Sequence, residues 1–268
     1  VYLENKNLVV FLVFAHRACN LRFVSHLLAS MTTINSDVKI GGYSIGHLLA
    51  QAQKVVEKKA LETPIFDTAA EERIPRFDSD ELTVGRVLGR GGFCTVSEVT
   101  KVALMDGNAA RSSMNRHGND DNEEDERTYG VIIQDRDFME THYLRNGKEY
   151  RYAIKKLKED STKDVHTFMN GIVDLALEAR FLAVIRHPNV IKMRAVASTS
   201  PYSRDFFIVL DRLYDILSRT LVSWKKRKGA GLSKLFDRGG KKSTAFWVER
   251  ITVAHDLAGA LRYLHRIK

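Results

Sequence analysis

Three short stretches of this 268-residue chain carry side chains suited to handling a phosphorylated ligand. The first is Leu88-Gly-Arg-Gly-Gly-Phe-Cys-Thr-Val96. Glycines let backbone amides approach an anion with no Cβ in the way, so such a run can cradle phosphate. The second is Tyr152-Ala-Ile-Lys155. On a strand, Ala153, Lys155 and Leu157 share one face, and a small residue beside an ammonium suits a flat ring and its phosphates. The third is Glu178, in Leu175-Ala-Leu-Glu-Ala-Arg-Phe-Leu182. It lies beside an apolar helical stripe rather than opposite it, so its carboxylate can reach a strand Lys and hold it at the phosphates. Each stretch alone also has a plain structural reading: a flexible hairpin turn, a solvated edge lysine beside Lys156 and Lys158, and an exposed helix glutamate.

The element that follows the glycines separates the phosphate-loop classes. A Walker loop needs Gly-Lys-Ser/Thr entering a helix, and Gly240-Lys241-Lys242-Ser243 has a second Lys where the hydroxyl must stand. A dinucleotide fingerprint also needs a helix straight after its glycines. Here Thr95-Val-Ser-Glu-Val99 reads as a strand, so the glycines join two antiparallel strands.

The elements around these residues follow from periodicity. Leu82–Leu88 and Thr95–Val102 alternate with β-branched residues and predict strands. Asn146-Gly147 predicts a tight turn into a strand over Lys148–Leu157. Phe168, Ile172, Leu175, Ala179 and Leu182 step by four, three, four and three, which predicts a helix with one buried stripe. His187-Pro188-Asn189 ends it, because the residue before proline avoids the helical region. Val190–Val196 and Phe206–Leu210 read as short apolar strands, and Ile251, Ala254, Leu257, Leu261 and Leu264 mark a second striped helix. Upstream, Ser44 to Leu61 reads as an amphipathic helix capped by Ser44, and Glu62 to Asp80 as a linker. Asp120–Glu126 holds six acids in seven residues, so about 105–128 is expected to be a disordered insertion. Residues 225–242 read as a basic, glycine-containing insert.

Composition narrows the class. There are 42 Lys+Arg against 33 Asp+Glu, a net +9, with 44% hydrophobic and 28% charged residues. Those fractions are those of an ordinary globular protein. Four prolines and no tandem repeat exclude collagen-like, Pro-rich and solenoid chains. Two cysteines, Cys19 and Cys94, are too few for a disulfide framework, which favours a reducing, cytoplasmic setting. The longest apolar run, Leu8–Ala15, is far short of the roughly 20 residues of a membrane helix, so no transmembrane segment is expected. It lacks the basic segment of a secretory signal and reads as buried strand or helix. The basic stretch Trp224-Lys-Lys-Arg-Lys228, with Arg238 and Lys241-Lys242, offers a nucleic-acid or membrane surface, but basic loops are usually only solvated and no nucleic acid is expected.

In order and spacing, Gly89-x-Gly91-x-Phe93-x-x-Val96, Ala153-Ile-Lys155, Glu178, His187-Pro-Asn-Val190 and Phe206-Phe-Ile-Val-Leu-Asp211-Arg-Leu213 resemble the eukaryotic protein-kinase family. Ile251 to His265 resembles that family's long helix before the catalytic loop, so the likeness covers about residues 78–268. It implies an α+β fold: a kinase-like N-lobe of antiparallel sheet plus a helix over about 77–210, a hinge over about 211–214, and the first C-lobe helices over 215–268. Residues 1–76 would be an extension of unknown role. The resemblance further implies that Leu88, Gly89, Gly91, Phe93, Val96 and Ala153 surround ATP. Lys155 would hold its α- and β-phosphates and pair with Glu178. Leu210 would stand as gatekeeper, and backbone near Asp211 and Leu213 would bond the adenine edge. A protein substrate and Mg2+ are implied with ATP, and Ser/Thr specificity follows from the commoner family type.

The sequence departs from the family in four ways. Cys94 stands where a third loop glycine is usual, the acidic insertion lengthens one strand connection, and the basic insert interrupts the path to the last helix. The fourth departure is larger: neither His-Arg-Asp nor Asp-Phe-Gly is present. The catalytic Asp and the metal ligands are therefore not among these residues. Since the chain starts at Val1 and stops at Lys268, close behind a helical pattern, it reads as a piece of a longer kinase that itself transfers no phosphate. The alternative is a non-catalytic kinase-like scaffold.

Overall fold

The computed structural model describes residues 39–105, 123–229 and 241–267. The apolar run Leu8–Ala15, Cys19 and most of the acidic and basic insertions lie outside them. The described residues separate into two compact units.

The first unit holds described residues 39–105, 123–185 and 192–212. It opens with a two-stranded hairpin, β1 (Lys39–Ile40) and β2 (Tyr43–Ser44), turned through Gly41 and Gly42 at φ 55 and 88. Two consecutive positive φ values are what a tight hairpin with matching twist requires. Helix α1 (Ile45–Leu61) follows, its first turn capped by the Ser44 hydroxyl accepting from His47 N at 3.3 Å. Leu48, Ala52, Val55 and Val56 are buried as the amphipathic reading expects, and Gln51, expected on the polar face, is buried with them.

Glu62 to Asp80 is not a plain linker. It contains α2 (Thr68–Glu72), β3 (Arg76–Phe77) and a 3-10 turn at Ser79–Glu81. Elements of two to five residues are too short to show periodicity, and neighbours hold them: β3 runs parallel to β9, Phe77 opposite Ala197. The 76/77 position therefore lies inside one packed unit.

The central sheet has six strands in the order β3-β9-β10-β8-β5-β4. Its members are β4 (Leu82–Arg90), β5 (Cys94–Val102), β8 (Tyr152–Leu157), β9 (Met193–Ala197) and β10 (Phe207–Asp211), mutually antiparallel, with β3 parallel at one edge. β6 (Leu144–Arg145) and β7 (Glu149–Tyr150) form a small hairpin turned through Asn146 and Gly147, at φ 51 and 66. The strand expected over 148–157 is thus split at Arg151, and β9 starts at Met193 rather than 190.

Helix α3 (Glu123–Thr141) corrects the expected disorder over residues 123–128, where the backbone is helical; residues 106–122 of that insertion lie outside the described residues. Ile132, Arg136 and Met139 are its buried positions, and once that stretch is packed the helix propagates back through neighbouring residues at little cost. Helix α4 (Val165–Val184) is capped by Asp164, which accepts from Thr167 N at 2.7 Å. It is buried on more than the single expected stripe: Met169, Val173, Ala176 and Leu177 join Phe168, Ile172, Leu175 and Ala179. The reason is that α4 packs against α1 and α2 as well as against β8, β9 and β10.

The second unit holds described residues 186–191, 213–229 and 241–267. α5 (Leu217–Gly229) takes in the start of the expected basic insert, and α6 (Lys241–Arg266) includes its last two residues. Tyr263 on α6 ties down the His187 turn: its hydroxyl accepts from Arg186 N at 2.8 Å and its ring lies 5.0 Å from that of His187. Trp224 is buried, with the Arg250 guanidinium 5.7 Å from its ring, whereas Ile251 and Leu261 of the apolar stripe remain exposed. No helix among the described residues is long and apolar enough to cross a membrane.

Candidate functional site

The glycine run spans the end of β4, the turn and the start of β5. Gly89 pairs with Val96 and Arg90 with Thr95, and Gly91 N donates to Cys94 O at 2.8 Å to close the turn. Lys158 holds the tip from the side, its backbone N donating to Phe93 O at 3.0 Å and its Nζ to Gly92 O at 2.8 Å. Leu88, Gly89 and Gly91 are exposed, while Phe93 is half-buried.

Strand register assembles the neighbouring face. Val96 lies opposite Lys155, and Lys155 opposite Ile208. One step along, Glu98 lies opposite Ala153, and Ala153 opposite Leu210. Alternation therefore puts Val96, Ala153, Lys155 and Leu210 on one face of three adjacent strands. Ala153 and Leu210 are buried, with Val96 and Lys155 half-open beside them.

Helix α4 brings Glu178 to this face. Lys155 Nζ and Glu178 Oε2 form an ion pair, with side chains 13% and 24% exposed. Burial raises the Glu178 carboxyl above its ordinary pKa of 4.5, against the opposing pull of the Lys155 charge and hydrogen bond. Lys155 uses one of its three N–H donors here, which leaves donors for an anion at the open side. The buried Cys94 thiol, next to the same charges, is pushed up by desolvation to a pKa of about 12, so it stays protonated and packs as a small apolar group.

The structure thus gathers Val96, Ala153, Lys155, Glu178 and Leu210, with the glycine run at the edge. Asp211 is engaged elsewhere: its carboxylate takes both Arg194 Nε at 2.7 Å and Arg194 Nη2 at 2.9 Å, and its backbone N donates to Lys192 O at 2.9 Å. Leu213 belongs to the second unit, half-buried there.

Two contributors were missed by the sequence reading. Gly171 on α4 faces the loop: a Cβ there would come within 2.6 Å of Leu157 Cδ2 and 3.1 Å of Phe93 Cβ, so only glycine lets helix and loop approach this closely. A glycine inside a helical pattern costs about 1 kcal/mol against alanine, and that cost is the signal that could have marked it. Glu98, buried across from Ala153, pairs with Arg212 Nη1 at 3.0 Å and Arg86 Nε at 3.4 Å. An acid among the β-branched residues of a strand gave no hint of those distant partners.

Among the described residues no group of three His, Cys, Asp or Glu is placed to hold a metal ion. No step is assigned to a metal ion here. No family model matches the chain, and no curated protein matches it either.

Proposed function

We propose that the sheet and α4 form the ATP-binding part of a protein kinase, an enzyme that moves the γ-phosphoryl group of ATP to Ser/Thr hydroxyls of a protein substrate. The observation that carries this reading is the Lys155–Glu178 ion pair beside a glycine turn joining two antiparallel strands. In it, Glu178 fixes the ammonium by charge and hydrogen bond, so Lys155 meets the α- and β-phosphates already oriented. Ala153 leaves room for a flat adenine on that face of the sheet, and Leu210 closes the inner end of that space. The backbone near Asp211, at the end of β10, supplies the polar edge for the base. Leu88, Gly89, Gly91, Phe93 and Val96 cover the nucleotide.

The test is an acyl-phosphate derivative of ATP, which acylates an amine lying at its phosphates even when binding is weak. Lys155 is expected to be labelled ahead of Lys156 and Lys158, excess ATP should suppress the labelling, and Lys155→Met should abolish it at this site. Equal labelling of Lys155 by an acyl phosphate lacking the nucleoside would sink the reading.

A further inference from the structure

Residues preceding the sheet do more than fill space beside α4. α1 buries Leu48, Ala52, Val55 and Val56, and α1 and α2 both pack on α4, the helix that carries Glu178. A third contact is polar and lies two residues beyond Glu178. Arg180 Nε donates to Glu71 Oε1 on α2 at 2.7 Å, with side chains 20% and 25% exposed. The Arg180 guanidinium also stands 5.0 Å from the Phe66 ring centre, and Phe66 meets Phe181 edge-on at 4.7 Å. At the hairpin end, Gly41 lies so close to Val165 that a Cβ there would approach Val165 Cγ2 to 2.6 Å. Both ends of α4 are therefore gripped by the same upstream segment.

The grip has a consequence for the ion pair because burial already works against the Glu178 carboxylate. A buried charge with one partner keeps its place only while its backbone is held at the right distance. The sheet alone does not hold α4 on both sides; residues 45–77 supply the other side. Arg180 and Glu178 sit two positions apart, so their side chains leave α4 in different directions. One points to α2 and the other to Lys155, and together they fix the rotation of the helix between the two.

We propose that Arg180, with Glu71 and Phe66, is a positioning residue: residues 45–77 act as a latch on α4 that keeps Glu178 at Lys155 and so keeps Lys155 ready for a phosphate. The functional meaning rests on the ATP-binding reading, but the latch itself is read without nucleotide. Releasing it lets α4 turn or lift, which frees Lys155 from Glu178.

The experiment is competitive amine acetylation of the full chain in the absence of nucleotide, with Lys155 labelling measured by mass spectrometry relative to exposed Lys156. Glu178→Gln sets the ceiling for a freed Lys155. Arg180→Gln and Glu71→Gln are expected to raise the Lys155/Lys156 ratio about tenfold, the change that roughly 1.4 kcal/mol produces. Arg180→Lys, which keeps the charge beside Glu71, should stay near the parent ratio. Faster amide exchange should be confined to α4 and the loop it touches. The proposal is overturned if Arg180→Gln leaves the ratio at the parent value while Glu178→Gln raises it. It is overturned equally if exchange rises across the whole sheet, since Arg180 then only stabilises the fold, or if Glu178→Gln leaves the ratio unchanged. Failure of the ATP-derived probe would remove the nucleotide reading and leave the latch standing.

Discussion

Two ion pairs in the same unit join a cation to a glutamate, and their surroundings differ in every other respect. Arg136 on α3 meets Glu81 at 2.6 Å, with side chains 7% and 2% exposed. Glu81 Oε1 also accepts from Met105 N at 3.1 Å, and its Oε2 from Asp78 N at 2.9 Å. Arg136 donates a further bond to Arg76 O, and its guanidinium lies 4.5 Å from the Phe77 ring centre. Lys155 and Glu178 share a single bond, at a face that is still partly open. The first pair is also bonded to three backbone groups that must be held; the second keeps donors in reserve. Similar charges thus serve as a rivet in one place and as a poised binding group in the other.

The comparison breaks most visibly in folding stability. Removing one partner of a buried, backbone-anchored pair strands the other charge, so Arg136→Ala is expected to lower stability by about 3–5 kcal/mol. Glu178→Gln should cost no more than about 1 kcal/mol, because burial already disfavours the carboxylate and the half-open Lys155 can turn to water. Urea unfolding of both variants decides it. Equal losses would mean that the Lys155–Glu178 pair is a rivet as well.

The alkaline limb sharpens the same contrast, since Cys94 reports how dry the neighbourhood of Lys155 is. Its pKa is raised from 9.0 to about 12 by burial, so the stability it contributes is fully present below 9.0 and is lost as pH rises towards 12. Each pH unit in that window removes about 1.4 kcal/mol from this group. Subtracting the pH–stability curve of Cys94→Ala from that of the parent should isolate the slope. The thiol should also resist alkylation at neutral pH; rapid reaction there would show that water reaches the site.

What the sequence disclosed follows the same division. The strands around the glycine run, the Asn146-Gly147 turn, α1 with its Ser44 cap and α4 all announce themselves, since local pattern and final packing agree. The Lys155–Glu178 pairing was expected from the family resemblance; strand alternation and helical spacing alone show only that each side chain can border the same face. The rivet was not. α3 buries Ile132, Arg136 and Met139 at steps of four and three, and an arginine in mid-stripe hides the apolar period. Its partner Glu81 lies 55 residues away, a separation no local pattern records. α2 and β3 were invisible for another reason: each is one turn or two residues long, and only α4 and β9 give them shape. Arg180 likewise reads as an ordinary helix cation until Glu71 and Phe66 are seen beside it.

The smallest effect is the titration of Glu178 itself, and it tests whether this pair is as exposed to its surroundings as the comparison requires. Burial raises its pKa above 4.5, and Lys155 pulls the other way by charge and hydrogen bond. With a raised folded-state value, the stability tied to the protonated group is fully present below 4.5 and is lost as pH rises through the raised value. The ion pair runs opposite, forming only above the raised value. A carboxyl-carbon NMR titration should therefore place the Glu178 midpoint above 4.5, and Lys155→Met should move it higher still, because only the opposing pull has been removed. A midpoint below 4.5 in the parent would mean that Lys155 outweighs burial, and the contrast between the two pairs would fail.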